Sequence, residues 1–146
     1  MTTQNSILQF QGEYRWLSNF WPASVEYDGE VYSSVECAYQ AAKTLDLEKR
    51  KLIQAQTAGM AKKIGKGLIV RKDWNEIKIG VMLALLRQKF LNDPKLGERL
   101  LATGDRELIE GNWWGDTFWG VCRGFGENRL GKLIMSVREE LKQKKG

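Results

Sequence analysis

Glu36, Tyr39, Gln40 and Lys43 stand at spacings of 0, 3, 4 and 7, the repeat that brings side chains onto one face of a helix. The segment that carries them runs Ser33-Ser34-Val35-Glu36-Cys37-Ala38-Tyr39-Gln40-Ala41-Ala42-Lys43. Val35, Cys37, Ala38, Ala41 and Ala42 fall on the opposite side, and small residues let a helix press close into a core. The remaining stripe presents a carboxylate, a phenol, an amide and an amine, an inventory suited to a polar substrate. The same residues also have a purely structural reading. Ser33 and Glu36 have the spacing of a capping box, in which Glu36 bonds back to the cap backbone and Tyr39, Gln40 and Lys43 are solvated.

Two further segments have chemical potential. In Asn112-Trp113-Trp114-Gly115-Asp116, continuing to Trp119-Gly120, glycine lets backbone approach a ligand and tryptophan walls it off. Trp114 and Gly115 would then line a pocket in which Asp116 steadies positive charge; the alternative is a tight turn with Asp116 as turn former. In Gly124-Phe125-Gly126-Glu127-Asn128-Arg129, glycines lead into a helix whose free N–H groups suit an anion, and Arg129 adds a bidentate phosphate contact. Gly126 as a plain helix cap accounts for much of the same pattern. The spacings match neither a Walker loop nor a dinucleotide fingerprint. Lys62, Lys63, Lys66, Arg71 and Lys72 form a basic run that reads either as a phosphate or nucleic-acid contact or as a solvated face.

Composition narrows the chemistry. The chain has no histidine, which removes serine-histidine and cysteine-histidine catalysis and histidine-ligated metals. Acid–base and nucleophilic work falls to carboxylates, lysine, tyrosine or cysteine. Cys37 and Cys122 lack metal-ligand spacing, so no metal and no cofactor is expected, and a reduced cytoplasm is the natural setting. No run is apolar enough to span a bilayer and no signal peptide opens the sequence. A net charge of +5 favours an anionic partner, although solubility alone explains such a charge equally well. Several of the six tryptophans fall near one another in sequence and suit stacking on a base as well as core packing.

The elements that must hold these residues follow from local signals. At 146 residues the chain reads as a single domain, residues 1–146. Ile7 to Phe10 suggests a short strand, and Asp28-Gly29 joins a hairpin of Val25–Tyr27 and Glu30–Tyr32. Asp46 caps a helix to about Gln54, and Thr57 caps another that stops at Gly65 or Gly67. Asp73 with Glu76 opens the longest helix, Trp74 to about Leu91, whose apolar stripe is Ile79, Met82, Leu83, Leu86 and Phe90. Asp93-Pro94 starts a shorter helix that ends at Gly104. Arg106 to Ile109 and Phe118 to Cys122 suggest strands. A last helix runs from about Glu127 to Lys142, followed by a frayed tail from Gln143 to Gly146. Helix dominates without βαβ alternation, so the class is α+β: one compact, mostly helical domain with a few short strands.

Five motifs in order resemble one family. Trp16-Leu17-Ser18-Asn19-Phe20, Glu36-Cys37-Ala38-Tyr39-Gln40-Ala41-Ala42-Lys43, Trp74, Trp114-Gly115-Asp116 and Asn128-Arg129-Leu130-Gly131 are similar to the YbiA-like or NADAR family. The resemblance covers nearly the whole chain. It implies N-glycosidase activity on a ribosyl carbon bonded to nitrogen, either in ribosylamino intermediates of riboflavin synthesis or in ADP-ribose attached to guanine. It implies that Glu36, Lys43, Trp74 and Asp116 line the pocket, and that Ser18, Asn19, Phe20 and Asn128 lie among the substrate-binding residues. Cys37 departs from the pattern, since relatives commonly carry histidine there; by helical phase it points away from the Glu36 stripe.

On this reading Glu36 and Asp116 divide the acid and base roles, while Lys43 acts electrostatically or forms an imine with C1 of an opened ribose. Tyr39, Trp74 and Trp114 stack on the base or bracket the sugar, and Arg129 holds phosphate. The expected partner is a small nucleotide-type substrate or an ADP-ribosylated nucleic acid, not a membrane. A non-catalytic ADP-ribose or NAD-binding module and a nucleic-acid-binding protein are the rival readings.

Overall fold

Asp28 and Gly29 both take left-handed backbone, with φ of 49° and 84°, as a tight hairpin turn requires. They pair β1 (Pro22–Tyr27) antiparallel with β2 (Glu30–Ser34). The structure, a computed structural model, describes residues 5–145. The chain divides into two compact units: Asn19–Lys89, and the residues up to Ser18 together with those from Phe90 onward.

In the first of these units the hairpin runs directly into α1 (Val35–Ala42). The N-cap is Ser34, whose hydroxyl accepts from the Cys37 N–H at 3.1 Å. The capping box expected from Ser33 and Glu36 is therefore not formed. The cap lies one residue later, because the hairpin register carries Ser34 as the last strand residue, paired with Pro22. α1 packs against both strands, α2 (Leu47–Gln54) and α3 (Ala58–Lys66). Its small residues allow this, and Val35, Cys37, Ala38, Ala41 and Ala42 are wholly buried.

Both ends of α1 are tied down. The Asn19 carbonyl accepts from the Glu36 N–H at 3.1 Å. Beyond the other end, the Arg50 guanidinium donates to the carbonyls of Ala41 (3.2 Å) and Thr44 (2.7 Å) and pairs with Asp28 at 2.8 Å. Arg71 N–H donates to the Lys43 carbonyl at 2.8 Å, while its guanidinium engages Asp73 at 2.7 Å. Asp46 and Thr57 cap α2 and α3 as expected, each accepting backbone N–H groups of the first turn. α4 (Trp74–Leu91) begins and ends where the sequence indicates.

The other unit contains a 3-10 helix (Gly12–Leu17), α5 (Pro94–Ala102) and α6 (Arg129–Lys145). Asp93 caps α5, with Pro94 at its first position. The strands expected at Ile7–Phe10 and Arg106–Ile109 reduce to one parallel bridge between Ile7 and Leu108. Phe118–Cys122 reduces to β4 (Val121–Cys122), parallel to β3 (Gly111–Asn112). Side-chain amides replace a ladder here: Asn128 Oδ1 accepts from Glu110 N–H, and Asn112 bonds both the N–H and the carbonyl of Asp116. α6 starts at Arg129 rather than Glu127 because Asn128 takes φ 51°, which cannot continue a right-handed helix. It continues to Lys145, so the tail expected to fray from Gln143 is helical that far, and Gly146 lies outside the described residues. The fold class is the α+β arrangement read from the sequence. Among the described residues no helix is long and apolar enough to cross a membrane.

Candidate active site

Glu36, Tyr39 and Gln40 of the polar stripe of α1 are buried too, and Lys43 at its end is half-buried. Glu36 is 8% exposed and Gln40 4%. A carboxylate so placed needs donors. Gln40 Nε2 supplies one, donating to Glu36 Oε2 at 2.5 Å across one helical turn. Gln40 Oε1 then has no hydrogen-bond partner and faces Gly65 of α3, where a Cβ would overlap the amide. Gly65 is required by this close approach rather than by any turn.

One turn further on, the Lys43 Nζ lies 5.6 Å from the centroid of the Tyr39 ring. Tyr39 packs on Trp74 with centroids 5.1 Å apart and planes at 55°, and Trp74 is buried. Burial in this aromatic setting pushes the Lys43 pKa below its usual value. The Glu36 carboxylate opposes the shift, and the charges of Lys62, Lys78 and Lys66 add to it. A more readily neutralised amine and a held carboxylate thus share one helix face, which is equipment for proton transfer and for attack on an electrophilic carbon.

Asn19 and Phe20 belong to the same unit. Asn19 is buried, its Nδ2 donates to Met82 Sδ at 3.6 Å, and its Oδ1 has no hydrogen-bond partner. Phe20 is partly exposed, with the Lys62 Nζ 5.8 Å from its ring centroid and Gly59 beside its edge. Cys37 points to the core side, beside Ser33 and the Gln56 carbonyl, away from the Glu36 stripe.

The remaining candidates belong to the other unit. Ser18 closes the 3-10 helix, its N–H donating to the Arg15 carbonyl. Trp114 is 44% exposed and meets Trp113 edge to face at 4.9 Å. Gly115 takes φ 85°, which a side chain would disfavour. Asp116 Oδ1 accepts from the N–H groups of Phe118 (3.1 Å) and Trp119 (2.9 Å), the geometry of a turn former. The Asn128 amide uses both ends on backbone, donating to the Leu108 carbonyl and accepting from Glu110 N–H, and so staples the loop. Arg129 pairs with Glu127 at 2.8 Å and lies 5.0 Å over the Phe118 ring.

Sequence reasoning missed Gly65 and Lys78. Lys78 follows Trp74 by four residues; its Nζ donates to Asn75 Oδ1 at 3.3 Å, and its charge acts on Lys43. Gly65 carried no local signal beyond its place near a helix end.

The fold and site define an α+β protein with a buried carboxylate and a half-buried lysine on one helix face. Its sequence matches the NADAR domain over residues 8–142. It is 37% identical over 147 residues to the N-glycosidase YbiA of Escherichia coli (strain K12), covering 94% of this chain and 90% of that one. It is 40% identical over 131 residues to a riboflavin biosynthesis protein of Vibrio vulnificus (strain YJ016), covering 87% of this chain but only 35% of that protein. The NMR structure of E. coli YbiA matches with a TM-score of 0.85 at 34% identity, over 99% of this chain and 89% of that one. The chain belongs to the NADAR family.

Proposed function

We propose that this protein is an N-glycosidase that hydrolyses the ribose–nitrogen bond of a phosphorylated nucleotide-type substrate, foremost a ribosylaminopyrimidine phosphate. The observation that carries this reading is the pairing on α1 of a Gln40-held Glu36 with a Lys43 whose pKa is lowered by burial. The N-glycosidase and riboflavin-biosynthesis names of the relatives support it.

The chemistry follows from the two groups. When the ribose ring of a ribosylamine opens, C1 becomes an imine carbon. The neutral Lys43 amine adds to C1, and the C1–nitrogen bond to the base breaks. Glu36 carries the proton from the attacking nitrogen to the departing one. Water then adds to the Lys43–C1 imine, releasing the sugar phosphate and regenerating the amine. Tyr39 and Trp74 make the setting in which lysine loses its proton easily.

The test is incubation of the protein with ribosylaminopyrimidine phosphate, ADP-ribosylated guanosine and NAD, with mass detection of freed base and sugar phosphate. Release from the first supports the reading. Release only from ADP-ribosylated guanosine reassigns the protein to reversal of ADP-ribosylation. Tight binding without release from any substrate overturns the catalytic reading in favour of a binding module.

A further inference from the structure

Lys43 is not the only cation of its neighbourhood. On α3, Gly59, Lys62 and Lys66 share a face, since their helical phases fall within a narrow arc, while Ala61 and Gly65 turn toward the buried side. The Phe20 ring lies beside Gly59 on this helix, and the Lys62 ammonium extends over that ring. On α4, Lys78 stands one turn beyond Trp74, whose ring packs on Tyr39 beneath Lys43. Gly65 of α3 abuts the Gln40 amide and Trp74 of α4 packs on Tyr39, so α3 and α4 both flank the polar stripe of α1, and the charges of Lys62, Lys78 and Lys66 are felt at Lys43. Gathering like charge raises the energy of a site unless an anion offsets it.

We propose that Lys62, Lys66 and Lys78 form the phosphate subsite of the substrate, beside the Glu36–Lys43 pair and walled on one side by Phe20. The assignment rests on the glycosidase reading for its substrate, since a ribosyl phosphate places a dianion a short distance from the reacting C1. It differs from the expectation for Arg129, whose guanidinium is engaged by Glu127 and stacked on Phe118. Lysines suit the role, because an ammonium group binds phosphate as a point charge without the planar geometry that arginine demands.

The test uses the full chain and two readouts. First, kcat/KM is measured for ribosylaminopyrimidine 5′-phosphate and for the same compound without phosphate, in the wild type, in Lys62→Gln/Lys66→Gln/Lys78→Gln and in Arg129→Ala. The preference for the phosphorylated compound should shrink by about tenfold or more in the triple variant, mainly through KM, the scale of a lost charge-assisted contact. Retention of the preference there, or its loss in Arg129→Ala alone, overturns the subsite. Second, calorimetry follows pyrophosphate binding without turnover, at low ionic strength where surface charge is least screened. Binding to the wild type and not to the triple variant supports the subsite even if no substrate turns over, an outcome that sinks only the glycosidase reading. No pyrophosphate binding to the wild type overturns it. Circular dichroism verifies that the variants fold.

Discussion

The Gln40 side-chain amide donates to the Glu36 carboxylate at 2.5 Å, and its own oxygen is left without a hydrogen bond against Gly65. A buried acceptor without a partner costs roughly 1–3 kcal/mol. The fold tolerates that cost while the amide nitrogen faces the carboxylate, the orientation a charged Glu36 demands. Gly65 thereby acts on Glu36 through Gln40, as a positioning residue.

Replacing Gly65 tests this relay. Ala in a helix interior normally stabilises by about 0.5–1 kcal/mol relative to glycine. Here the new methyl group must displace the Gln40 amide. Gly65→Ala should therefore lower kcat by about 10- to 100-fold, the scale of a small misplacement at a reacting centre, with KM less affected. Gln40→Met should lose a similar factor, because it fills the space but donates nothing. Wild-type kcat in both variants would remove the relay.

Capping and catalysis reside in neighbouring residues and separate cleanly. Ser34→Ala removes the observed N-cap and should cost about 0.5–2 kcal/mol of stability in denaturant titration, with kcat/KM little changed. Glu36→Gln keeps the side-chain shape but removes the charge, and should lower turnover by about 100-fold or more. Undiminished turnover in Glu36→Gln would reduce Glu36 to a structural role.

The lowered pKa of Lys43 gives its role a pH signature. The neutral amine needed for imine formation grows as pH rises through the lowered pKa, so kcat should climb with pH and do so below the ordinary lysine value of 10.5. Borohydride added during turnover should leave a reduced sugar phosphate on Lys43, located by peptide mass. Lys43→Arg keeps charge but forms no such imine, and turnover should fall by about 100-fold or more. Near-normal turnover in Lys43→Arg, with no adduct in the wild type, would favour direct water attack.

Lys89 offers an independent check on the core. It is 1% exposed, and burial pushes its pKa down to about 7. Below that value both folded and unfolded chains carry its proton. Between about 7 and the ordinary lysine value of 10.5 the unfolded chain binds a proton that the folded one lacks, so this group's contribution to stability rises with pH. It is fully present above the unfolded pKa and lost as pH falls through the folded one. Lys89→Met should raise the denaturation midpoint at pH 6, with the gain shrinking toward pH 10. A gain independent of pH would show that Lys89 does not titrate in this way.

The sequence by itself determined what depends on neighbours a few residues away. Asp46, Thr57 and Asp93-Pro94 start helices because their side chains or rings act on the next turn. Asp28-Gly29 turns the hairpin because both positions accept positive φ. The shared face of Glu36 and Lys43 follows from helical period alone, and the family resemblance was legible in the order of five short motifs. Tertiary structure decided the rest. Whether the Glu36 stripe met solvent or core depended on α3 and its Gly65, 29 residues beyond Glu36 along the chain. The choice of Ser34 over Ser33 as cap depended on hairpin register, and the use of Asn128 as a staple depended on Leu108 and Glu110. The setting of Lys43 likewise came from Trp74 and Lys78 on α4 and from Lys62 and Lys66 on α3. Burial and hydrogen-bond partners are set by residues distant in sequence, so helical phase could place these groups on a face but could not say what that face would meet.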